Sequence, residues 1–371
     1  MAADLLLFQP SKAFTIGVEW ELQLLDADHL DLAPRALPVL ELFPDNPWIK
    51  PELIQSCVEI NSKVCDDIVQ LKDHLGDLLA NLHRRCESLG LKLCGAGTHP
   101  FCRRLALITP LPRYLREKAD YGYMARSQIT YAMHVHLGMP DAEVALTLMR
   151  EIKAYLPVLI ALSANSPFWR GYETGFACYR QRILASGRSY GIPPAFSTWD
   201  QFCQFFEVTR RAGVFQQIRE IHWDLRPRPR LGTLEVRVLD SQPCLKDVVA
   251  VAVFVRCLAR YLVNTQVEQR PAILPTPIPW WLEKENYFQA TRRGSLASYI
   301  DAGGGVRPLS DIIEVLFDLL LKRVEKNHQN YLHYLHRRFR NGLGWQRQLH
   351  AYHESRQLPS VVRHLIQELQ A

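Results

Sequence analysis

The sequence predicts a chain of mixed α and β structure, on two kinds of pattern. Three separated stretches, around 14–23, 129–138 and 231–240, alternate apolar and polar residues with a period of two. That pattern reads as strands with one face on a core. Between them lie segments with apolar residues at helical spacing, the clearest over 66–89, and no internal repeat interrupts the order.

The first strand carries the chemistry that sets the questions. Phe14, Ile16, Val18, Trp20 and Leu22 share one parity, and Thr15, Gly17, Glu19, Glu21 and Gln23 the other. Two carboxylates two residues apart project side by side from one face. They repel unless water, a proton or a cation intervenes. The pair is either a solvated face or a site for a hard divalent cation.

The chain has 371 residues, 48% of them hydrophobic, which is ample for a large core. Forty-four basic against 38 acidic residues give +6. That excess suits anionic ligands such as nucleotides but is too weak to imply nucleic-acid binding. Nine cysteines without a CxxC pair read as reduced, buried thiols. The start, MAADLLLFQPSKAF, lacks a cationic region and does not read as a secretory leader. The apolar run 248–263 is interrupted by Arg256 and Arg260, so it reads as a buried helix and not a membrane span. The expectation is a soluble, cytoplasmic protein.

In chain order, Glu52, Gln55 and Glu59 share a face if their segment is helical. If it is extended, Glu52 and Glu59 fall on opposite faces. The helix over 66–89 ends at Gly90. The turn Gly95-Ala96-Gly97-Thr98-His99 is weak evidence for phosphate binding, His99 reads as a turn residue, and no GxxxxGK[ST] motif is present. Residues 113–127 read as helical. A strand over 129–137 puts His134 and His136 on its polar face. Asp141 reads as the N-cap of a long helix reaching Ala164 and bent at Pro157. Residues 165–182 form a polar loop with Arg170, Glu173, Tyr179, Arg180 and Arg182. A helix over 197–212 starts with Ser197 and Asp200 as a capping box. A strand over 231–240 sets Glu235 and Arg237 on one face, and a helix over 245–264 follows. Residues 271–279 are a Pro-rich connector, and 286–308 read as a mobile loop over a site. Residues 311–371 form a helical tail, basic and His-rich over 328–340, read as a solvated or oligomer face.

Three strands thus offer Glu19 and Glu21, His134 and His136, and Glu235 and Arg237 on their polar faces. An ordinary outer face would mix Lys, Thr and Glu; here carboxylate and imidazole dominate. Curled into a funnel, such a face would gather hard oxygen ligands and one imidazole for Mg²⁺ bridging nucleotide phosphates, with arginine to neutralise a transferring phosphoryl group.

The segments GVEWEL, MHVHLG, SPFWRGYETGFACYR and GTLEVRVLD, in this order, resemble the glutamate–cysteine ligase type 2 family of ATP-dependent carboxylate–amine ligases. The resemblance covers 13–310, leaving 311–371 as a helical extension of one catalytic domain, 1–371. It implies a glutamine-synthetase-like α+β fold: a curled antiparallel sheet with helices packed on its convex face and metal ions with ATP on its concave face. It further implies metal roles for Glu19, Glu21, Glu52, Glu59, His134 and Glu235, with Mg²⁺ or Mn²⁺ as the ion. Arg237 becomes the phosphate-facing arginine and Arg180 a clamp for a substrate carboxylate. Asn286 and Arg292, in NYFQATRRG, fall near the nucleotide. His136 stays open between ligand, supporting residue and structure. Gln55 stands where the family commonly has an acid. The expected partners are a small carboxylate and an amine, glutamate and cysteine by default. The rivals are a guanidino or amine phosphotransferase of the same fold and an inactive nucleotide-binding regulator.

Overall fold

The structure is a computed structural model that describes residues 6–371; residues 1–5, the start of the stretch read as not being a leader, lie outside it. Its centre is a seven-stranded, open antiparallel sheet. The strands are β1 (Ile16–Asp26), β2 (Ile49–Pro51), β3 (Cys57–Asn61), β4 (Leu91–Cys94), β5 (Met133–Gly138) and, later in the chain, a hairpin at 225–236. Before that hairpin come two pairs of two-residue strands, β6 (Phe168–Trp169) with β7 (Tyr172–Glu173), and β8 (Tyr190–Gly191) with β9 (His222–Trp223). The hairpin itself is β10 (Leu225–Arg228) and β11 (Thr233–Val236), and the spatial order is β10-β11-β5-β1-β3-β2. β4 shares with β5 one edge of β1: β5 pairs residues 16–20 and β4 pairs residues 23–26. A final hairpin, β12 (Ser298–Ile300) and β13 (Val306–Pro308), stands apart.

The alternation seen in sequence sets the faces. Ile16, Val18, Trp20, Leu22, Met133, Val135, Leu137, Leu234 and Val236 are all buried. Each such side chain contributes roughly 1.5–3 kcal/mol on burial. Helices cover this face. The chain supplies α1 (Ala36–Glu41), α2 (Ile68–Ser88), α3 (Pro112–Tyr121), α4 (Tyr123–Ser127), α5 (Ala142–Lys153), α6 (Leu156–Ser163), α7 (Arg180–Leu184), α8 (Trp199–Arg211) and α9 (Leu245–Asn264). The α2 and α9 stripes and α5 share one core with the sheet. α2 starts where Asp67 accepts from Gln70 N and stops before Gly90, whose φ of +69° suits glycine.

Several boundaries differ from expectation. Residues 113–127 form two helices, broken at Gly122 with φ +55°. Asp141 does cap α5, accepting from Val144 N at 2.7 Å. The helix is broken, not bent: Pro157 has no N–H for the carbonyl of Lys153, so α5 ends there and α6 starts at Leu156. The α8 cap is Thr198, accepting from Gln201 N, and not Ser197. Asn286 to Arg293 close helix α10 (Trp280–Arg293), and the triple glycine is the tip of the β12–β13 hairpin, held by Asp301 Oδ1. Residues 286–308 are therefore ordered structure and not a loop over a site.

The tail comprises α11 (Leu309–Leu321), α12 (Lys326–Asn341), α13 (Gly344–Ser355) and α14 (Leu358–Gln370). It buries Leu316, Leu332, Val361 and Leu365 against the rest of the chain. Among the described residues no helix is long and apolar enough to cross a membrane. All nine cysteines are free and eight are buried.

Candidate active site

The polar face of the sheet lines a cleft of about 610 Å³. Strand register assembles it. Glu19 lies opposite His134 of β5, and Glu21 opposite Glu59 of β3. Glu235 of β11 lies opposite His136. The segment carrying Glu52 is extended, yet Glu52 and Glu59 line one wall, because a hairpin turn intervenes. Lys50 pairs with Glu59, and Glu52 lies two residues beyond Lys50.

Two overlapping donor groups result, Glu19 with His134 and Glu235, and Glu21 with Glu59 and His134. Within each group the ligand atoms lie within 4.8 Å of one another. Burial, then the charge of Glu52, pushes the Glu21 carboxyl up to about 8. Burial followed by Glu19, Glu52 and Glu21 raises Glu59 well above the usual carboxylate range, and burial raises Glu52. Burial also opposes charge on Glu19, but His136 and His134 outweigh it and hold its carboxyl well below normal. Burial and then Arg237 lower His134 to about 4, so at neutral pH its imidazole is uncharged and can offer a lone pair. A wall of carboxylates crowded enough to retain protons, joined by one neutral imidazole, fits a hard divalent cation.

Arginines flank this wall. Arg226 grips Glu235 with Nε at 2.8 Å from Oε2 and Nη2 at 3.0 Å from Oε1. Arg228 Nη1 donates to Oε2 at 3.0 Å, and Arg237 Nη1 to Oε1 at 2.5 Å. Burial alone would raise the Glu235 carboxyl, but Arg226, Arg237 and Arg228 pull it well below the usual range. Arg180 is pinned by the carbonyls of Val238 and Arg237, both at 3.3 Å. Arg180 and Arg237 both line the cleft, and each has a buried Nε without a partner. Nothing in the alternation pattern marked Arg226 and Arg228. Their signal is the spacing of RPRPRLGTLE, which folds as a hairpin and sets Arg226 opposite Glu235. Lys50, Arg113 and Glu117 also line the cleft and went unmarked.

The glycine turn is no phosphate cradle. A Cβ at Gly95 would meet Gln242 O at 2.0 Å, and one at Gly97 would meet Asp240 Cγ at 2.6 Å, so the glycines permit close packing. His99 is structural, with Nε2 at 3.0 Å from Leu30 O and Nδ1 accepting from Cys102 N. Burial pushes it down to about 4, against about 6.5 in the unfolded chain. Between those values the unfolded chain binds more protons, so stability rises with pH across the window and is lost on acidification. His99→Gln should flatten the stability-versus-pH curve between pH 6.5 and 4, by up to about 3 kcal/mol. Urea melts at pH 7 and pH 5 measure it; equal pH sensitivity in both proteins would remove His99 as the cause.

The model of the family described as Glutamate-cysteine ligase family 2 (GCS2) matches residues 15–364. Two relatives bear the name "Putative glutamate--cysteine ligase 2". That of Trichormus variabilis is 43% identical over 98% of this chain and 95% of its own. That of Gloeobacter violaceus is 34% identical over 96% and 97%. The chain belongs to this family. Among solved structures, the glutamate–cysteine ligase of Francisella tularensis in complex with AMP superposes with a TM-score of 0.68 at 14% identity, covering 97% of this chain and 90% of that one. The complex of the prokaryotic ubiquitin-like protein Pup and its ligase PafA gives 0.53 at 13% identity, over 95% and 71%. At these identities the likeness shows the fold, a glutamine-synthetase-like α+β architecture.

Three positions marked in the sequence lie outside the lining of this cleft. Asn286 is buried in α10, where its amide bonds both the N–H and the carbonyl of Ile300, so it clamps β12 and does not line the cleft. Arg292 is exposed at the end of the same helix and also lies outside the cleft lining. Gln55, in place of the family acid, donates Nε2 to Ile108 O and does not face the donor groups.

Proposed function

We propose that the protein is an ATP-dependent carboxylate–amine ligase that works through an acyl phosphate, with glutamate and cysteine as the default substrates of its family. The observation that carries this reading is the pair of donor groups sharing His134, bordered by Arg180 and Arg237. Glu19, Glu21, Glu52, Glu59, His134 and Glu235 would hold Mg²⁺ or Mn²⁺. Bound there, the ions would neutralise the phosphate oxygens of ATP.

The chain's own residues orient and stabilise. Arg237, held at Nη1 by Glu235, lines the cleft and would stabilise charge developing on the transferring γ-phosphoryl group. Arg180, whose Nη1 and Nη2 are held by two backbone carbonyls, places a fixed positive charge at the cleft for the substrate carboxylate. The carboxylate oxygen bonds to the γ-phosphorus as the bond to the β–γ bridging oxygen breaks and ADP leaves. The amine nitrogen then bonds to the acyl carbon, phosphate departs with the electron pair, and the amine loses a proton. No enzyme nucleophile is required; positioning and electrostatics suffice. Free, mostly buried thiols suit a reducing compartment, the cytoplasm.

Trapping tests the reaction class. ATP, Mg²⁺, glutamate and hydroxylamine should yield glutamyl hydroxamate and ADP. A guanidino-type kinase would make no hydroxamate, an adenylate-forming enzyme would release AMP, and a nucleotide-binding regulator would give neither. A panel of other carboxylates covers a different natural substrate; no ADP-linked hydroxamate from any of them overturns the reading.

A further inference from the structure

The function proposed above leaves His136 unused. It stands on β5 one pleat beyond His134, with Gly17 of β1 as partner on one side and Glu235 of β11 on the other. Because Gly17 carries no side chain, Glu19, two residues further on, reaches the imidazole diagonally. Glu19 Oε1 lies 3.2 Å from His136 Nε2, and Glu235 Oε1 lies 3.8 Å from it. Nε2 is buried and off the hydrogen-bond line to either, so it faces both carboxylates and belongs to neither. On the far side of the ring, Nδ1 is 3.1 Å from Thr233 Oγ1. With the Thr233 hydroxyl donating to Nδ1, the ring proton stands on Nε2, toward the two carboxylates; this tautomer follows from the network.

Glu19 and Glu235 come from strands on opposite sides of β5, and both belong to the donor group that shares His134. Two like charges brought to one point repel and splay unless a donor stands between them. Arg226, Arg228 and Arg237 serve Glu235, but none of them bonds Glu19. Two imidazoles stand near both carboxylates, His134 with Nδ1 at 2.9 and 3.9 Å and His136 with Nε2 at 3.2 and 3.8 Å. Of the two, His134 lines the cleft and His136 does not, so substrate does not reach His136.

We propose that His136 is a positioning residue for the cation site: its Nε2 holds the Glu19 and Glu235 carboxylates at the spacing at which they and His134 take one divalent ion, and Thr233 fixes its ring. The proposal rests on the cation reading of Glu19, His134 and Glu235. Groups that orient metal ligands from behind typically matter 10–100-fold in metal affinity, and the same range is expected here.

The test is Mn²⁺ binding without nucleotide, with free Mn²⁺ counted by electron paramagnetic resonance and folding followed by thermal melting. His136→Ala should raise the Kd of one class of bound Mn²⁺ by about 10–100-fold. His136→Gln, whose amide nitrogen takes the place of Nε2, should recover most of that loss, and Thr233→Val should fall between. Electron spin-echo modulation should show one coordinated imidazole nitrogen, that of His134. A wild-type Kd in His136→Ala overturns the proposal, as does a second imidazole nitrogen, which would make His136 a ligand. Should His136→Ala fail to fold, unchanged Kd values in both His136→Gln and Thr233→Val overturn it equally. The two readings fail separately. Wild-type protein that binds no Mn²⁺ removes the cation site itself. Binding that Glu19→Gln abolishes but the His136 variants leave unchanged removes only the positioning role.

Discussion

Glu235→Gln is expected to cost the protein its fold as well as its turnover. The carboxylate is 0% exposed and takes hydrogen bonds from Arg226, Arg228 and Arg237. An amide in its place leaves three guanidinium groups facing each other without a counter-charge. Breaking a buried ionic cluster from one side typically destabilises by about 3–5 kcal/mol. Arg226 also carries the carbonyls of Arg219 and Ile221 on its Nη1, so the damage should reach the segment that borders the cleft. Glu19→Gln is the contrasting case. Its side chain is 22% exposed, no arginine bonds it, and an amide oxygen can still accept from His134 Nδ1. That variant should melt near wild-type temperature yet lose ATP hydrolysis coupled to amide formation. Thermal melting with an ADP-release assay separates the two. A Glu235→Gln protein as stable as wild type would mean the arginines find other partners; a fully active Glu19→Gln protein would take Glu19 out of the cation site.

Arg237→Lys should lower kcat by about 10²–10³-fold, the usual cost of losing one preorganised donor at developing charge, with the KM for ATP little changed. The guanidinium keeps Nη1 on Glu235 Oε1 while the side chain borders the cleft where a transferring group would lie. A lysine ammonium is a single point that cannot serve both positions. Steady-state kinetics across ATP concentrations read the split. Wild-type kcat would return Arg237 to a purely structural ion pair, and a large rise in KM at constant kcat would make it a ground-state anchor.

The strand faces were legible because alternation is a local property: Val18 and Trp20 are buried and Glu19 and Glu21 are not turned inward with them. Helix positions were legible for the same reason, and the ends were missed where a single residue overrides periodicity, as Pro157 and Gly122 do. What escaped is non-local. Glu52 and Glu59 read as opposite-facing in an extended chain because a turn between them has no period to detect. Arg226 was invisible until its hairpin partner was known, since its meaning lies in facing Glu235 and not in its neighbours. Asn286 failed in the other direction. An Asn in a polar motif offers donors and acceptors to any ligand, and only the fold shows that Ile300 already takes both.

The proposed cation-holding residues other than Glu52 sit on strands whose alternate residues form the core, and this makes the site sensitive to phase. Glu19, Glu21, Glu59, His134 and Glu235 each have an apolar neighbour on either side pointing the other way. Inserting or deleting one residue within such a strand would exchange its two faces, sending a carboxylate into the apolar interior and a valine into the cleft. A two-residue change restores the parity and only slides the ladder. Lineages of this fold can therefore trade individual side chains along these strands far more freely than they can change strand length by one. Drift in length is confined to turns such as 52–56, where it would alter how far Glu52 reaches without inverting the wall behind it.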